Sequence, residues 1–340
     1  MKKFGLLKVL SMALVGLLSL ACLFGCNNPN SGNKTPSKGL RYEVNADGET
    51  CTITGIGTCT DAYLVIPSEI DGYTVTKIGL NAFRDNLGIK SVTLGDKLEE
   101  IGPMAFQDCT ALTSFTISDS VTKILDFAFM GCTSLTSIEI PRSVTTLGAE
   151  VFGACTSLTE IKVDSQNPNY CSVNGNLYNK DITEIIAYAS GKSDKSFTVP
   201  ATVKVIGNGA FRNSQNLESV QLPSNLEAIS QHAFSGCENL NTLNIPESVK
   251  RIEYGVFRDC SSLKIVLHAG LTFISENVIM SVNRVYYHGN IDDFTAVLGD
   301  STGRDLAIVL QRTFYYSEVE PTDERNYWHY DNNGNVVEWQ

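Results

Sequence analysis

Ten cysteines and four histidines are the side chains best suited to nucleophilic or metal chemistry in this 340-residue chain, and their spacing argues against both. Cys109, Cys132 and Cys155 lie 23 residues apart, and so do Cys237 and Cys260. Metal sites draw on short local spacings such as Cys-x2-Cys. A long fixed interval instead puts each thiol at the same place in a repeating unit, where free cysteine behaves as a small buried hydrophobe. His232, His268, His288 and His329 form no HExxH motif and no cysteine-histidine cluster, and His232 reads as part of a solvated helix face. No GxSxG, GxGxxG or P-loop pattern occurs. Asp331-Asn332-Asn333-Gly334 lacks the downstream glutamate of a calcium loop and reads as a turn. The expectation is therefore no catalytic residue, no metal and no cofactor. Cys51 and Cys59 stand outside the array, in adjacent expected strands; a disulfide and two free thiols are both open.

The elements that must place these residues follow from the same interval. Phenylalanine recurs at 83, 106, 129 and 152, then at 211, 234 and 257, each step within a group being 23. Ile117 to Ile140, ISDSVTKILDFAFMGCTSLTSIEI, is one turn of this pattern. A fixed period of this length marks a solenoid, because one unit buries too little apolar area to fold alone and must stack on its neighbours. Leu135, Ile138 and Ile140, the two isoleucines at period two, predict a short strand, stacked into a parallel sheet. Pro141, Pro223 and Pro246 end such strands by removing a ladder donor. Ile101 to Cys109 predicts one to two helical turns with the phenylalanine inward, which makes the fold an α/β solenoid.

With the aliphatic residues of each strand inward, the alternate side chains face out. Those columns hold Ser91 and Thr93, Ser114 and Thr116, Ser137 and Glu139, Glu160 and Lys162, Ser219 and Gln221, and Thr242 and Asn244. The face is small and polar, with charge only at Glu139, Glu160 and Lys162. It suits an extracellular protein or glycan held by many weak hydrogen bonds, and it equally suits bland solvent-facing surface.

The flanks set the organisation. Lys2, Lys3 and Lys8 precede an uncharged run of 16 residues from Val9 to Phe24, shorter than the roughly 20 that span a bilayer, so residues 1–25 read as a signal peptide. Leu23-Phe24-Gly25-Cys26 resembles the lipobox of bacterial lipoproteins, which implies lipidation at Cys26; ordinary cleavage and free secretion is the alternative. Residues 26–39 read as a flexible tether, 40–66 as a β-rich N-terminal cap built as a meander, and 67–163 and 199–290 as repeats. Residues 164–198, with Asn174-Gly175 at a turn, read as an enlarged repeat or hairpin island, and 291–340 as a C-terminal cap. Tyr327, Trp328, Tyr330 and Trp339 form the core of that cap or, alternatively, an aromatic platform for a glycan or peptide. Removing three lysines moves the formal charge from -11 to about -14 (-11 - 3), which argues against nucleic acid and against contact with anionic lipid beyond the N-terminal anchor.

The quoted unit, SVTxIxxxAFxxCxSLTSIxIP as it stands at Ser120 to Pro141, is similar to the BspA-like, or treponemal-type, leucine-rich repeat of bacterial surface proteins. The cap CTITGIGTCTDAYLVIPSEIDGYTVTKIG and the tail YYSEVEPTDERNYWHY resemble what accompanies that repeat in gut Firmicutes, so the likeness covers about residues 42–340. It implies a right-handed leucine-rich-repeat solenoid, cell-surface or secreted display, and a role in adhesion or protein binding without naming a ligand; separately, the chain is expected to be a monomer. The contrasting expectation is a passive envelope spacer with no ligand.

Overall fold

The computed structural model describes residues 35–275, 278, 281–298, 304–321 and 325–339. The expected signal peptide, the lipobox-like stretch and Cys26 lie outside the described residues. The folded unit begins at Ser37. There the Ser37 N–H donates to Val65 O at 3.0 Å and its hydroxyl to Asp61 Oδ2 at 2.7 Å, so the end of the expected tether is part of the fold.

Each 23-residue turn of the solenoid feeds two parallel ladders. The expected strands form the first, here called the face ladder. Tyr63–Val65, Ser91–Thr93 and Ser114–Thr116 pair in register, Ser137–Ile140 pairs with Glu160–Val163, and Ser196–Thr198 begins a further sheet through Ser219–Gln221, Thr242–Asn244 and Lys264–His268. Val92, Phe115, Ile138, Ile161, Val220 and Leu243 point inward and are buried. The second ladder consists of two-residue strands such as Glu100–Ile101, Lys123–Ile124 and Thr146–Leu147. Isoleucine or leucine of the Val-x-x-Ile stretch supplies its inward residue.

The segment between the ladders differs from the expected helix. Ile101 to Cys109 and its equivalents are successive turns, because two residues per repeat, four apart, adopt a left-handed backbone. The pairs include Asn81 and Asp85, Met104 and Asp108, Phe127 and Gly131, Glu150 and Ala154, Gly209 and Asn213, and His232 and Gly236. A left-handed non-glycine residue costs roughly 1–2 kcal/mol and breaks an α-helix. Here it turns backbone donors toward the next coil: Phe83 N donates to Ala105 O, Phe106 N to Ala128 O and Phe129 N to Val151 O, at 2.8, 2.8 and 3.0 Å. Among the described residues, helices occur only in the C-terminal cap, at Ile291–Val297 and Arg304–Gln311.

Inside, the phenylalanines stack. Ring centroids of Phe83, Phe106, Phe129 and Phe152 follow one another at 5.0, 5.6 and 5.8 Å with nearly parallel planes, and Phe211, Phe234 and Phe257 at 4.9 and 5.9 Å. Tyr188 extends the second stack, 5.3 Å from Phe211, because Ala187-Tyr188 lies one period before Ala210-Phe211. The island is thus smaller than its 164–198 bounds: Tyr188 follows Phe152 by 36 residues, 13 more than one period (36 - 23). The excess goes into the antiparallel hairpin Tyr170–Val173 and Asn176–Asn179, turned at Asn174-Gly175, both with positive φ as a type I′ turn requires. This hairpin interrupts the face ladder after Glu160–Val163, where Ile161 N donates to Gly175 O at 2.9 Å. The core divides at the same place into two clusters, meeting around Leu177 and Tyr178.

The N-terminal cap is a hairpin and not a meander. Arg41–Val44 pairs antiparallel with Thr50–Gly55, which opens the second ladder by pairing with Tyr73–Ile78, while Tyr63–Val65 opens the face ladder. Cys51 and Cys59 are free buried thiols, and Cys59 sits in the loop beyond the strand. At the other end Arg284–His288, Thr313–Tyr316 and Tyr327–Tyr330 continue the face ladder in parallel, and Val336–Glu338 closes it as an antiparallel edge.

Candidate ligand-binding face

The array cysteines hold coils together. The S–H of Cys109 donates to Phe83 O, that of Cys132 to Phe106 O and that of Cys155 to Phe129 O, at 3.1, 3.2 and 3.1 Å; Cys237 and Cys260 repeat the bond to Phe211 O and Phe234 O at 3.0 and 3.1 Å. Burial pushes the thiols of Cys109, Cys155 and Cys260 up to about 12, and those of Cys132 and Cys237 well above the usual range. A nucleophilic cysteine needs the opposite shift. A short iodoacetamide pulse at pH 8, read by mass spectrometry, is expected to leave these five thiols unmodified in the folded protein and to modify all of them in denaturant.

The histidines are dispersed and engaged. His268 Nε2 lies 2.9 Å from Val249 O, His288 stacks on Tyr316 at 4.1 Å and His329 on Trp339 at 4.1 Å. His232 is half-buried in a turn, edge-on to Tyr254, and not on a helix face. Burial lowers the basicity of His232 and His268.

The outward columns stand where the strand pattern places them, but they form two groups. Ser114, Thr116, Ser137, Glu139 and Lys162 are exposed and Glu160 half-exposed in the N-terminal half. Gln221, Thr242 and Asn244 are exposed and Ser219 half-exposed in the C-terminal half, beyond the island hairpin. Ser91 is buried and Thr93 half-buried beside the cap strand Tyr63–Val65, so this first column is not displayed.

In the first group Glu139 is the register partner of Lys162, and Lys162 Nζ lies 3.4 Å from Glu160 Oε2. Ser114, Thr116, Ser137, Glu139 and Lys162 line an open cleft of about 330 Å³, joined by Asp119 and Asp164 from the loops that follow the strands. Sequence reasoning missed these two aspartates, because loop residues carry no period-two signal. The cleft presents three carboxylates to one ammonium. In the second group Thr198, Ser219, Gln221, Thr242 and Asn244 line a cleft of about 510 Å³.

The terminal aromatics separate by depth. Trp328 is fully buried and its Nε1–H donates to Tyr287 O at 3.2 Å, Tyr327 is half-buried, and Trp339 donates to Ser317 O at 3.0 Å. Tyr330 is the exposed member.

A family profile described as the BspA type leucine rich repeat region matches residues 66–173 and 184–295 in six copies, and the break between them falls on the island hairpin. Among solved structures, the pneumococcal vaccine antigen PcpA is 23% identical over 78% of this chain and 78% of its own, with a TM-score of 0.61. A leucine-rich repeat protein of Eubacterium ventriosum is 20% identical over 88% of this chain and 98% of its own, with a TM-score of 0.52. At these identities the two structures speak for the fold. No curated protein is significantly similar to the chain. The 23-residue turns, the two parallel ladders and a profile match over more than half of its residues establish that the chain belongs to the BspA type leucine-rich-repeat family.

Proposed function

We propose that this protein is a bacterial cell-surface recognition module, exported by its N-terminal signal, anchored by a lipid on Cys26, and engaging an extracellular protein through its face ladder. The observation that carries the reading is the placement of clefts: outward residues of successive strands line open concavities in both halves of the face. In a repeat fold such a surface is continuous across coils and adjustable one column at a time without disturbing the core. The carboxylates of Asp119, Glu139 and Asp164 favour a partner that brings lysine or arginine to the N-terminal cleft.

The test is capture of extracellular-matrix proteins and mucin by the folded unit, followed by titration of any hit. A variant carrying Glu139→Ala, Glu160→Ala and Lys162→Ala is expected to weaken binding about tenfold or more, and added salt to weaken the unmodified protein's binding. Absence of saturable binding to every protein and every glycan offered would return the spacer reading. Lipidation is checked by Cys26→Ala, which is expected to release the protein from the cell envelope into the medium.

A further inference from the structure

The two halves of the face differ in chemistry, and the C-terminal half changes character along its length. Its outward residues are hydroxyls and amides at Thr198, Gln221, Thr242 and Asn244, then rings at His288, Tyr316 and Tyr330, all on one continuous ladder. Asn244 belongs to two clefts at once. It ends the polar one described above, and it begins another of about 510 Å³ that reaches Val266, His268, His288 and Tyr330. The two clefts adjoin at Asn244 and are taken together as one groove along the strands from Ser196–Thr198 to Tyr327–Tyr330.

We propose that this groove binds a neutral, linear carbohydrate, a proposal that rests on the face being the recognition surface and assigns its C-terminal half a ligand class. The polar end offers neutral groups that both donate and accept. Among the described residues none bonds the side chains of Thr242 or Asn244, and Gln221 engages only its Oε1, at 3.4 Å from the Thr198 hydroxyl. Such groups match sugar hydroxyls, which likewise donate and accept. The aromatic end offers ring surface for the apolar C–H face of a pyranose. Tyr330 is 40% exposed, enough to take a ligand. It is held edge-on by buried Trp328 at 4.9 Å, and Trp328 also braces Tyr316 at 5.0 Å, on which His288 stacks. The rings are therefore positioned before a ligand arrives, which lowers the entropy lost on binding.

Charge and spacing point the same way. The second cleft contains one carboxylate and one ammonium, Glu247 and Lys250, beside the imidazoles of His268 and His288, and the ammonium of Lys250 donates to the backbone carbonyl of Glu247 at 2.8 Å. Beside the rings Arg284 lies 3.6 Å from Glu338, which also accepts from the Tyr286 hydroxyl at 2.6 Å. The cleft linings carry no excess of either sign, in contrast to the acidic N-terminal cleft; the one added charge on this stretch of the ladder is exposed Lys264, the register partner of Thr242. Neighbouring strands are about 4.8 Å apart, close to the rise of one residue in an extended β-linked glycan. Successive sugars thus meet successive columns.

The test is calorimetric titration of the folded unit from Ser37 to Gln340 with neutral β-linked disaccharides and hexasaccharides of glucose, xylose and N-acetylglucosamine. At least one hexasaccharide is expected to bind saturably, at least tenfold tighter than its disaccharide, and with little dependence on salt. Tyr330→Ala and Asn244→Ala are each expected to weaken it about tenfold with an unchanged unfolding midpoint, while Tyr330→Phe retains binding. The variant lacking Glu139, Glu160 and Lys162 is expected to bind sugar normally. No binding of any hexasaccharide, or binding indifferent to both Tyr330→Ala and Asn244→Ala, overturns the proposal. If a captured protein partner then loses affinity on Asn244→Ala, the groove is a peptide site and the recognition reading survives. If neither proteins nor glycans bind, both fall together.

Discussion

Phe129→Ala is expected to lower the unfolding free energy by about 3–5 kcal/mol. Phe129 is fully buried between Phe106 at 5.6 Å and Phe152 at 5.8 Å, with Phe115 edge-on at 4.7 Å. Removing its ring deletes contacts to coils on both sides and opens a cavity that flanking rings, fixed by their own backbone ladders, cannot fill. Phe129→Leu keeps most of the volume and is expected to lose less than half as much. Urea denaturation followed by near-ultraviolet circular dichroism measures both. A loss under about 1 kcal/mol for the alanine variant would show that the stack is not a stabilising column.

Arg212→Ala is expected to produce a loss of similar size, about 3–5 kcal/mol, for a different reason. Arg212 Nη1 lies 2.6 Å from Glu150 Oε2, and Glu150 is only 4% exposed at its side chain against 22% for Arg212. Removing the guanidinium leaves a carboxylate without its cation in a nearly dry site. Glu150 also packs where the backbone comes close: a Cβ on Gly209 would stand 2.7 Å from Glu150 Cγ. The pair joins the repeat before the island to the repeat after it, across the boundary between the two core clusters. Breaking it is therefore expected to separate the unfolding of the two halves into two steps. The double variant Glu150→Gln with Arg212→Ala is expected to recover stability relative to Arg212→Ala alone, because it removes the stranded charge. A double-mutant cycle with no coupling between the positions would refute the argument.

Much of this architecture was legible because a solenoid repeats its local rules. The 23-residue interval placed the phenylalanine and cysteine columns, and period two in Ile138 and Ile140 placed the face strands and their outward residues. The turns were not legible as such. Ile101 to Cys109 has helical apolar spacing, and the opposing signal was the recurrence of Gly, Asn or Asp at slots four apart, as in Asn81 and Asp85 or Gly209 and Asn213. Tyr188 was missed as a member of the phenylalanine stack because the island hid its register, although Ala187-Tyr188 repeats Ala210-Phe211.

The sequence by itself determined the repeat, the identity of the buried columns and the polarity of the face, since these depend on residue type at a fixed spacing. Only the tertiary structure decided that the face is two surfaces, that Asp119 and Asp164 join Glu139, and that Asn244 shares a groove with Tyr330. It also decided that Glu150 and Arg212, 62 residues apart, form one buried pair. Periodicity speaks for one coil at a time, whereas these features arise where an inserted hairpin and a closing cap bring different coils together, and no local spacing encodes that meeting.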